Sequence, residues 1–542
     1  LGMLHRGEHA EITTVLGDTV DSEVSGNMID LCPVGALTSK PFRYSARNWE
    51  LSRRKSVSPH DGTGANLLVQ VKNNRVKRVL PLENDAVNEL WLADRDRFSY
   101  EALNTDERLT APMLKQGGEW KTVDWQTALE YVANGLKQVK AQHGANSIGA
   151  LVAPHSTVEE LFLAGQLVRG LGSENIDHRL RHAEFPSGEG VRWLGTSIAS
   201  LSTLQGALVI GSNLRKDHPL FALRLRGAVR NGARVAVIHD HDDNWAMPVV
   251  GKQVAPAGQW LQALADVATA IGAEQGACAP AQGTATDAAK GLAAALLSGE
   301  RKAVLLGNAA AHHAQASSLL ALANWIGART GATVGYLTEA GNTVGAQLVN
   351  ALPGQGGLNA GQMLAGGLKA AILLHTEPAF DSAAGARAGA GLAQAEMVIS
   401  LNSFKANMDI ADVLLPVAPF TETPGTFVNA EGRVQGFHAV VKPLGETRPA
   451  WKVLRVLANL LGVQGFEYES AQDVLAAARG ADAGQAMVQG DRMNNATSAA
   501  IRMGEAAGTP VTASIYQVDG IVRRAPSLQL TADARVAMEA AP

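Results

Sequence analysis

Apolar and polar positions alternate most sharply between residues 67 and 80. Leu67-Leu68-Val69-Gln70-Val71-Lys72 and Arg75-Val76-Lys77-Arg78-Val79-Leu80 flank the dipeptide Asn73-Asn74. Two alternating runs around a two-residue polar turn predict a β-hairpin in a β-rich stretch that starts near Ser52. Beyond it the period changes. Asp124 is placed to cap a helix reaching about His143, where Gly144 stops it, and Ser147 to Ala153 reads as the following strand. Thr157-Val158-Glu159-Glu160 has the form of a capping box at the start of another helix. Ala207-Leu208-Val209-Ile210-Gly211 is a short, wholly apolar strand. A helix from about Asp217 carries Phe221, Leu225, Ala228 and Val229 on one face, Gly232 ends it, and Arg234 to Ile238 is the next strand. That order is βαβ, and similar units recur at Ala303 to Gly307, Ala370 to Leu374 and Met397 to Leu401. A parallel sheet covered by helices follows. From Gly465 onward the chain is rich in alanine and glycine and less patterned, as in a small domain or a loosely ordered tail.

Composition narrows the function classes. With 542 residues, 46% of them hydrophobic and 18% charged, the chain can bury two or three cores. A net charge of -4 offers no electrostatic attraction for nucleic acid. No long apolar run is free of charge: the stretch from Met363 to Leu374 is broken by Lys369, so no membrane span is expected. Leu1 is neither a start methionine nor the head of a secretory segment. Two cysteines, Cys32 and Cys278, cannot form a disulfide framework and suit a reducing compartment.

One of those cysteines stands in Gly26-Asn27-Met28-Ile29-Asp30-Leu31-Cys32-Pro33-Val34-Gly35-Ala36-Leu37. Cys-Pro followed by small residues suits the last thiolate ligand of an iron–sulfur cluster: proline fixes the turn, and small residues let backbone amides approach the sulfurs. This string, its continuation Thr38 to Leu51, and Arg6-Gly7-Glu8-His9-Ala10-Glu11-Ile12 upstream closely resemble the large iron–sulfur subunit family of respiratory complex I, an NADH–quinone oxidoreductase. The resemblance implies that Cys32 is the fourth ligand of a [4Fe–4S] cluster. The other three would come from a C-x2-C-x2-C run ending roughly a dozen residues before Leu1. It therefore implies an N-terminally incomplete subunit, with a [2Fe–2S] and further [4Fe–4S] clusters in the missing region and no catalytic residue here. The implied partners are other peripheral-arm subunits, including the NADH/flavin subunit and the next Fe–S subunit towards quinone. The implied location is the cytoplasmic face of a bacterial inner membrane, or the matrix side in mitochondria.

Two further strings resemble the molybdopterin oxidoreductase superfamily. One is Ile210-Gly211-Ser212-Asn213 with Arg224-Leu225-Arg226. The other is Ala411 to Pro416, leading through Thr421 to Gln435. In pterin enzymes these strand-end loops contact the cofactor, as ligands do in open α/β sheets generally. The implied fold is an α/β, molybdopterin-oxidoreductase-like body with parallel βαβ units and a small β-rich segment, preceded by the end of a ferredoxin-like domain. The expected division is 1–40, 41–110, 111–460 and 461–542. Two departures argue against a working pterin site. Asn175 to Ala183, where relatives place the molybdenum ligand, offers no thiolate, and nearby Ser187 reads as a turn residue between Pro186 and Gly188. The spacing C-x2-C-x3-C-x27-C, which holds an extra [4Fe–4S] cluster in many relatives, falls on Ser58, Asp61, Ala65 and Ala93. Without thiolates that cluster is expected to be absent, as is molybdopterin. The alternatives are a catalytic, formate dehydrogenase-like molybdopterin oxidoreductase and a scaffold without a redox group.

The remaining candidates have blander readings. His239-Asp240-His241-Asp242-Asp243 could bind a divalent metal or a ribose, but reads first as a polar strand-exit loop. His312-His313 has no carboxylate at metal spacing, and Cys278 has no neighbour that would activate it. Lys40, Arg43, Arg47, Arg53, Arg54 and Lys55 form a docking surface or, more simply, a solvated connector. Neither a P-loop nor a dinucleotide fingerprint is present, so NADH binding belongs elsewhere.

Overall fold

The computed structural model describes residues 2–14, 20, 22–186, 190–480, 491–504 and 508–539. Local chemistry sets the elements. Asp124 Oδ1 accepts the Thr127 amide at 2.9 Å and starts the helix Trp125–His143, and Gly144 ends it with φ 82°. Thr157 and Glu160 exchange hydrogen bonds of 2.9 and 3.3 Å at the head of Val158–Gly170, the expected capping box. Asn73 and Asn74 both take positive φ, 52° and 57°, as a tight hairpin turn between Asn66–Lys72 and Arg75–Pro81 requires. Ser52–Val57 adds a third antiparallel strand.

Two parallel arrays form the body. The five strands Gly251–Val254, Arg234–His239, Gly206–Ile210, Lys302–Leu306 and Thr333–Tyr336 are all parallel, in that order. The larger sheet has seven strands. Ile176–Asp177, Ile148–Val152, Ala370–Leu374, Met397–Asn402 and Val413–Pro416 run parallel, and Met113–Gln116 and Glu119–Thr122 close one edge antiparallel. The central strands are buried along their whole length, so they read as continuous apolar runs without alternation. Trp260 lies fully buried against the five-stranded sheet, and the Trp125–His143 helix covers the seven-stranded one with Leu129, Val132 and Leu136. Each such side chain contributes roughly 1.5–3 kcal/mol of burial free energy.

Two expectations need adjustment. The helix expected from about Asp217 is present as Pro219–Arg230, and an unexpected short helix, Leu214–Asp217, precedes it, the two separated at His218, which leaves helical geometry at φ -137°. A residue before proline is driven away from the helical region, which accounts for the break. Described residues beyond Gly465 pack against the rest of the molecule. Ala471–Arg479 forms a helix, and Ile515, Tyr516, Val522 and Leu528 bury themselves with Ala102 and Phe404. No helix among the described residues is long and apolar enough to cross a membrane.

Candidate functional site

Cys32 ends the short helix Asn27–Leu31, and its sulfur faces the turn that follows. The Leu37 amide points at Sγ from 3.5 Å. That donor, joined by the Ala36, Val34 and Gly35 amides, holds the thiol below its ordinary pKa, against the opposing effect of burial. A sulfur ringed by backbone N–H groups is set up to carry negative charge, as a cluster thiolate must.

The helix is fastened to the β-rich segment. Asp94 accepts the Gly26 amide at 2.7 Å and the Ser25 hydroxyl at 2.5 Å. Asn27 exchanges bonds of 2.7 and 3.1 Å with the Leu92 backbone, and Arg97 pairs with Asp30 at 2.6 Å. The fit at Gly26 is close, since a Cβ there would stand 2.6 Å from Arg97 Cδ. Sequence reasoning picked out Cys32 but not this anchorage, which joins stretches about 65 to 70 residues apart.

Ser58, Asp61, Ala65 and Ala93 are brought together in the interior. Ser58 donates its amide to the Ala65 carbonyl at 2.9 Å. Ala93 caps the helix Asp94–Phe98, which answers the other two positions: Ser58 Oγ meets Asp96 at 2.6 Å and Arg95 meets Asp61 at 2.5 Å. Arg95 is only 1% exposed and also donates to the Asp217 carbonyl at 2.6 Å. Burial, with the Asp61 charge beside it, pushes Asp96 up to about 6, and burial takes nearby His218 down to about 4. A second pair, His60 with Asp519 at 2.6 Å, ties this region to the C-terminal segment. Burial disfavours both charges, yet each partner wins: Asp519 is held below the carboxylate range and His60 above the usual imidazole value. An ion pair at Asp61 and a hydrogen bond at Ser58 thus fill the interior beside Ala65 and Ala93.

The carboxyl ends of both parallel sheets converge on a cavity of ≈ 800 Å³. Pro154, His178 and Arg179 come from the seven-stranded sheet, and Asn308, Leu337 and Glu339 from the five-stranded one. Ligands favour this position in open α/β sheets. The stretch expected at the metal-ligand position reaches the cavity through His178, Arg179 and His182, and the Ala183 amide is bonded to the His312 carbonyl at 3.1 Å. The His182 and His312 rings lie 4.9 Å apart, His312 Nε2 is 3.6 Å from Glu339, and Glu339 also pairs with Arg181. Burial, then the His312 charge, keeps His182 well below its ordinary value. No cysteine is among the described residues of the lining, and Ser187 lies outside the described residues. Ile210 to Asn213, Arg224 to Arg226, and Thr421 to Gln435 do not reach the cavity. Arg224, for example, is spent on Glu89 at 3.0 Å and on the Asp85 and Val87 carbonyls. Tyr336, Glu339, Gln347 and Asn350 do line it. No strand, cap or motif read from the sequence pointed to them, since the strand Thr333–Tyr336 was not among those expected.

The family model described as molybdopterin oxidoreductase matches residues 108–460. The chain belongs to the molybdopterin oxidoreductase family. Two shorter models match ahead of it: an NADH-quinone oxidoreductase subunit 3 ferredoxin-like domain over residues 1–38, and an NADH-ubiquinone oxidoreductase NDSU1/NuoG-like 4Fe-4S domain over residues 51–101. A subunit of the NADH-quinone oxidoreductase of Rickettsia felis is 31% identical over 471 residues, covering 85% of this chain and 64% of that protein. The mitochondrial NADH-ubiquinone oxidoreductase 78 kDa subunit of Neurospora crassa is 30% identical over 475 residues, covering 86% and 59%. The chain thus spans just under two thirds of the curated relatives it matches. Among solved structures, acetylene hydratase from Pelobacter acetylenicus superposes with a TM-score of 0.56 at 14% identity, over 78% of this chain and 71% of that one. That likeness concerns the fold alone.

Among the described residues, the lining of this cavity offers imidazoles and an Arg–Glu pair and no thiolate, a donor set that does not suit molybdenum. The 4Fe-4S model likewise covers a stretch without any cysteine, filled by the Asp61–Arg95 network. The family fold also buries a carboxyl that resists ionisation. Burial pushes Glu159 up to about 7, although Thr426 offers its amide at 3.0 Å and its hydroxyl at 2.8 Å. A carboxyl whose folded value is raised favours folding only while protonated, so its contribution declines as pH climbs from about 4 through about 7. Glu159→Gln keeps both Thr426 contacts without the charge. It is expected to be more stable than the parent by about 3 kcal/mol at pH 8, with no difference near pH 4. Urea denaturation at the two pH values checks this, and a pH-independent difference would refute it.

Proposed function

We propose that the protein is an electron-relay and scaffold subunit of an NADH–quinone oxidoreductase of the complex I type. In this reading Cys32 donates one thiolate to a [4Fe–4S] cluster whose remaining ligands lie outside this sequence. The observation that carries it is the ring of Val34 to Leu37 amides about the Cys32 sulfur, within the stretch that matches a ferredoxin-like domain. When bound, the cluster supplies one-electron transfer. The chain's own part is to stabilise the thiolate with amide donors and to hold it rigidly through Asp94, Asn27 and Arg97. The α/β body works as scaffold and interface, without molybdenum and without a cluster at Ser58, Asp61, Ala65 and Ala93. Its partners are the neighbouring peripheral-arm subunits on the side of the membrane where NADH is oxidised.

The test is elemental iron and molybdenum, with pterin fluorescence, on the full-length subunit. Iron without molybdenum or pterin is the expected result. Stoichiometric molybdenum would overturn the scaffold reading in favour of a catalytic, formate dehydrogenase-like enzyme.

A further inference from the structure

A second cluster of ligand atoms lies away from both Cys32 and the large cavity, at the carboxyl end of the strand Arg234–His239. His239 Nδ1 is 3.0 Å from Asp240 Oδ1 and 3.5 Å from Asp243 Oδ2, and His241 Nδ1 is 2.9 Å from the same Asp240 oxygen. The His239, Asp240 and His241 ligand atoms all fall within 4.8 Å of one another. An ion held tetrahedrally at about 2.0–2.2 Å spaces its ligand atoms roughly 3.3–3.5 Å apart, close to the separations observed.

Two further observations set this loop apart from an ordinary polar strand exit. The His241 amide points at His239 Nδ1 from 3.3 Å, and the Asp240 and Asp243 carboxylates face the same nitrogen from 3.0 and 3.5 Å, so one nitrogen is approached by a donor and two acceptors at once. Asp243 Oδ2 is buried and accepts no hydrogen bond among the described residues. Two carboxylates converging on imidazole nitrogens in partial burial, one oxygen without a donor, form a setting that a cation would satisfy. The adjacent Asp242 is not part of the set, since both its oxygens are taken by Lys252 at 2.6 and 2.8 Å.

We propose that His239, Asp240, His241 and Asp243 bind a divalent transition ion, with zinc the best match. Two imidazoles with carboxylates suit zinc, whereas magnesium and calcium favour an all-oxygen set. The ion fastens the strand-exit loop. The carbonyl of Asn244, the next residue, accepts Arg215 Nη1 at 2.9 Å, and Arg215 also holds the Glu23 carboxylate at 3.1 Å. The Glu23 carbonyl in turn accepts the Asp94 amide at 2.7 Å, beside the anchor of the Cys32 helix. The site therefore steadies the contact between the α/β body and the Cys32 segment. It stands on its own geometry whether or not Cys32 holds a cluster.

The experiment equilibrates the full-length subunit with zinc, removes loosely bound metal by desalting, and counts zinc by plasma emission. The parent is compared with His241→Ala, Asp242→Asn and Cys32→Ala. His241 is 76% exposed, so its loss leaves folding intact, as circular dichroism would verify. His241→Ala is expected to lose one zinc equivalent, with affinity more than about 10-fold weaker, the least that even outer-sphere changes cost. Asp242→Asn and Cys32→Ala are expected to keep that equivalent. Cobalt substitution should give an intense tetrahedral absorption in the parent that His241→Ala lacks. Equal zinc in parent and His241→Ala, or loss of the equivalent only in Cys32→Ala, would overturn the assignment.

Discussion

In the full-length subunit, Cys32→Ala is expected to remove one [4Fe–4S] signal from the EPR spectrum and to block electron flow from NADH to quinone. Cys32 lies at the molecule's edge and its sulfur is contacted by backbone amides, not by core side chains. The substitution therefore leaves the thermal stability of the α/β body within about 0.5 kcal/mol of the parent. Loss of a signal without loss of stability separates a ligand from a packing residue. A spectrum that keeps every cluster signal would remove Cys32 from the ligand set.

The largest effect on stability is expected at Arg95. Its guanidinium is almost wholly buried and answers Asp61 and the Asp217 carbonyl, with Asp96 close by. Arg95→Met would leave the Asp61 charge buried without a partner, at a cost of about 3–5 kcal/mol. Asp61→Leu alone strands the arginine and is expected to cost a similar amount. The double variant Asp61→Leu/Arg95→Met removes both charges and should recover most of the loss, because an intact buried pair adds little over apolar residues of the same size. Denaturant unfolding of the four proteins gives the coupling energy. Additive single-site losses would mean that Asp61 and Arg95 are not a unit.

The features legible in the sequence are those decided over a few residues. The Asn73-Asn74 turn, the Thr157/Glu160 capping box and the buried strands at 207, 303, 370 and 397 all follow from nearest neighbours. Cys32 belongs with them, since its amides come from the five residues that follow it. The start of a helix at Pro219, within two residues of the expected Asp217, was equally local. The cavity was not, because Pro154, His178, Asn308 and Glu339 meet only when two sheets built from distant segments align their ends. The strand-exit histidines lie close in sequence, but whether their nitrogens converge depends on the turn beyond Arg234–His239, which no periodicity records.

The order of residues was enough to specify the succession of parallel βαβ units, the β-rich insert and one cysteine in a setting fit for a cluster. Hydrophobic period, caps and turn residues act within a few positions, so they survive being read in one dimension. What surrounds Ser58 and Asp61 was settled in three. The sequence shows that Ser58, Asp61, Ala65 and Ala93 carry no thiol, and the folded chain shows that Asp96 and Arg95 answer the first two of these positions in the interior. A buried charge has to find its counter-charge wherever the fold brings one, and that choice is made across the whole chain.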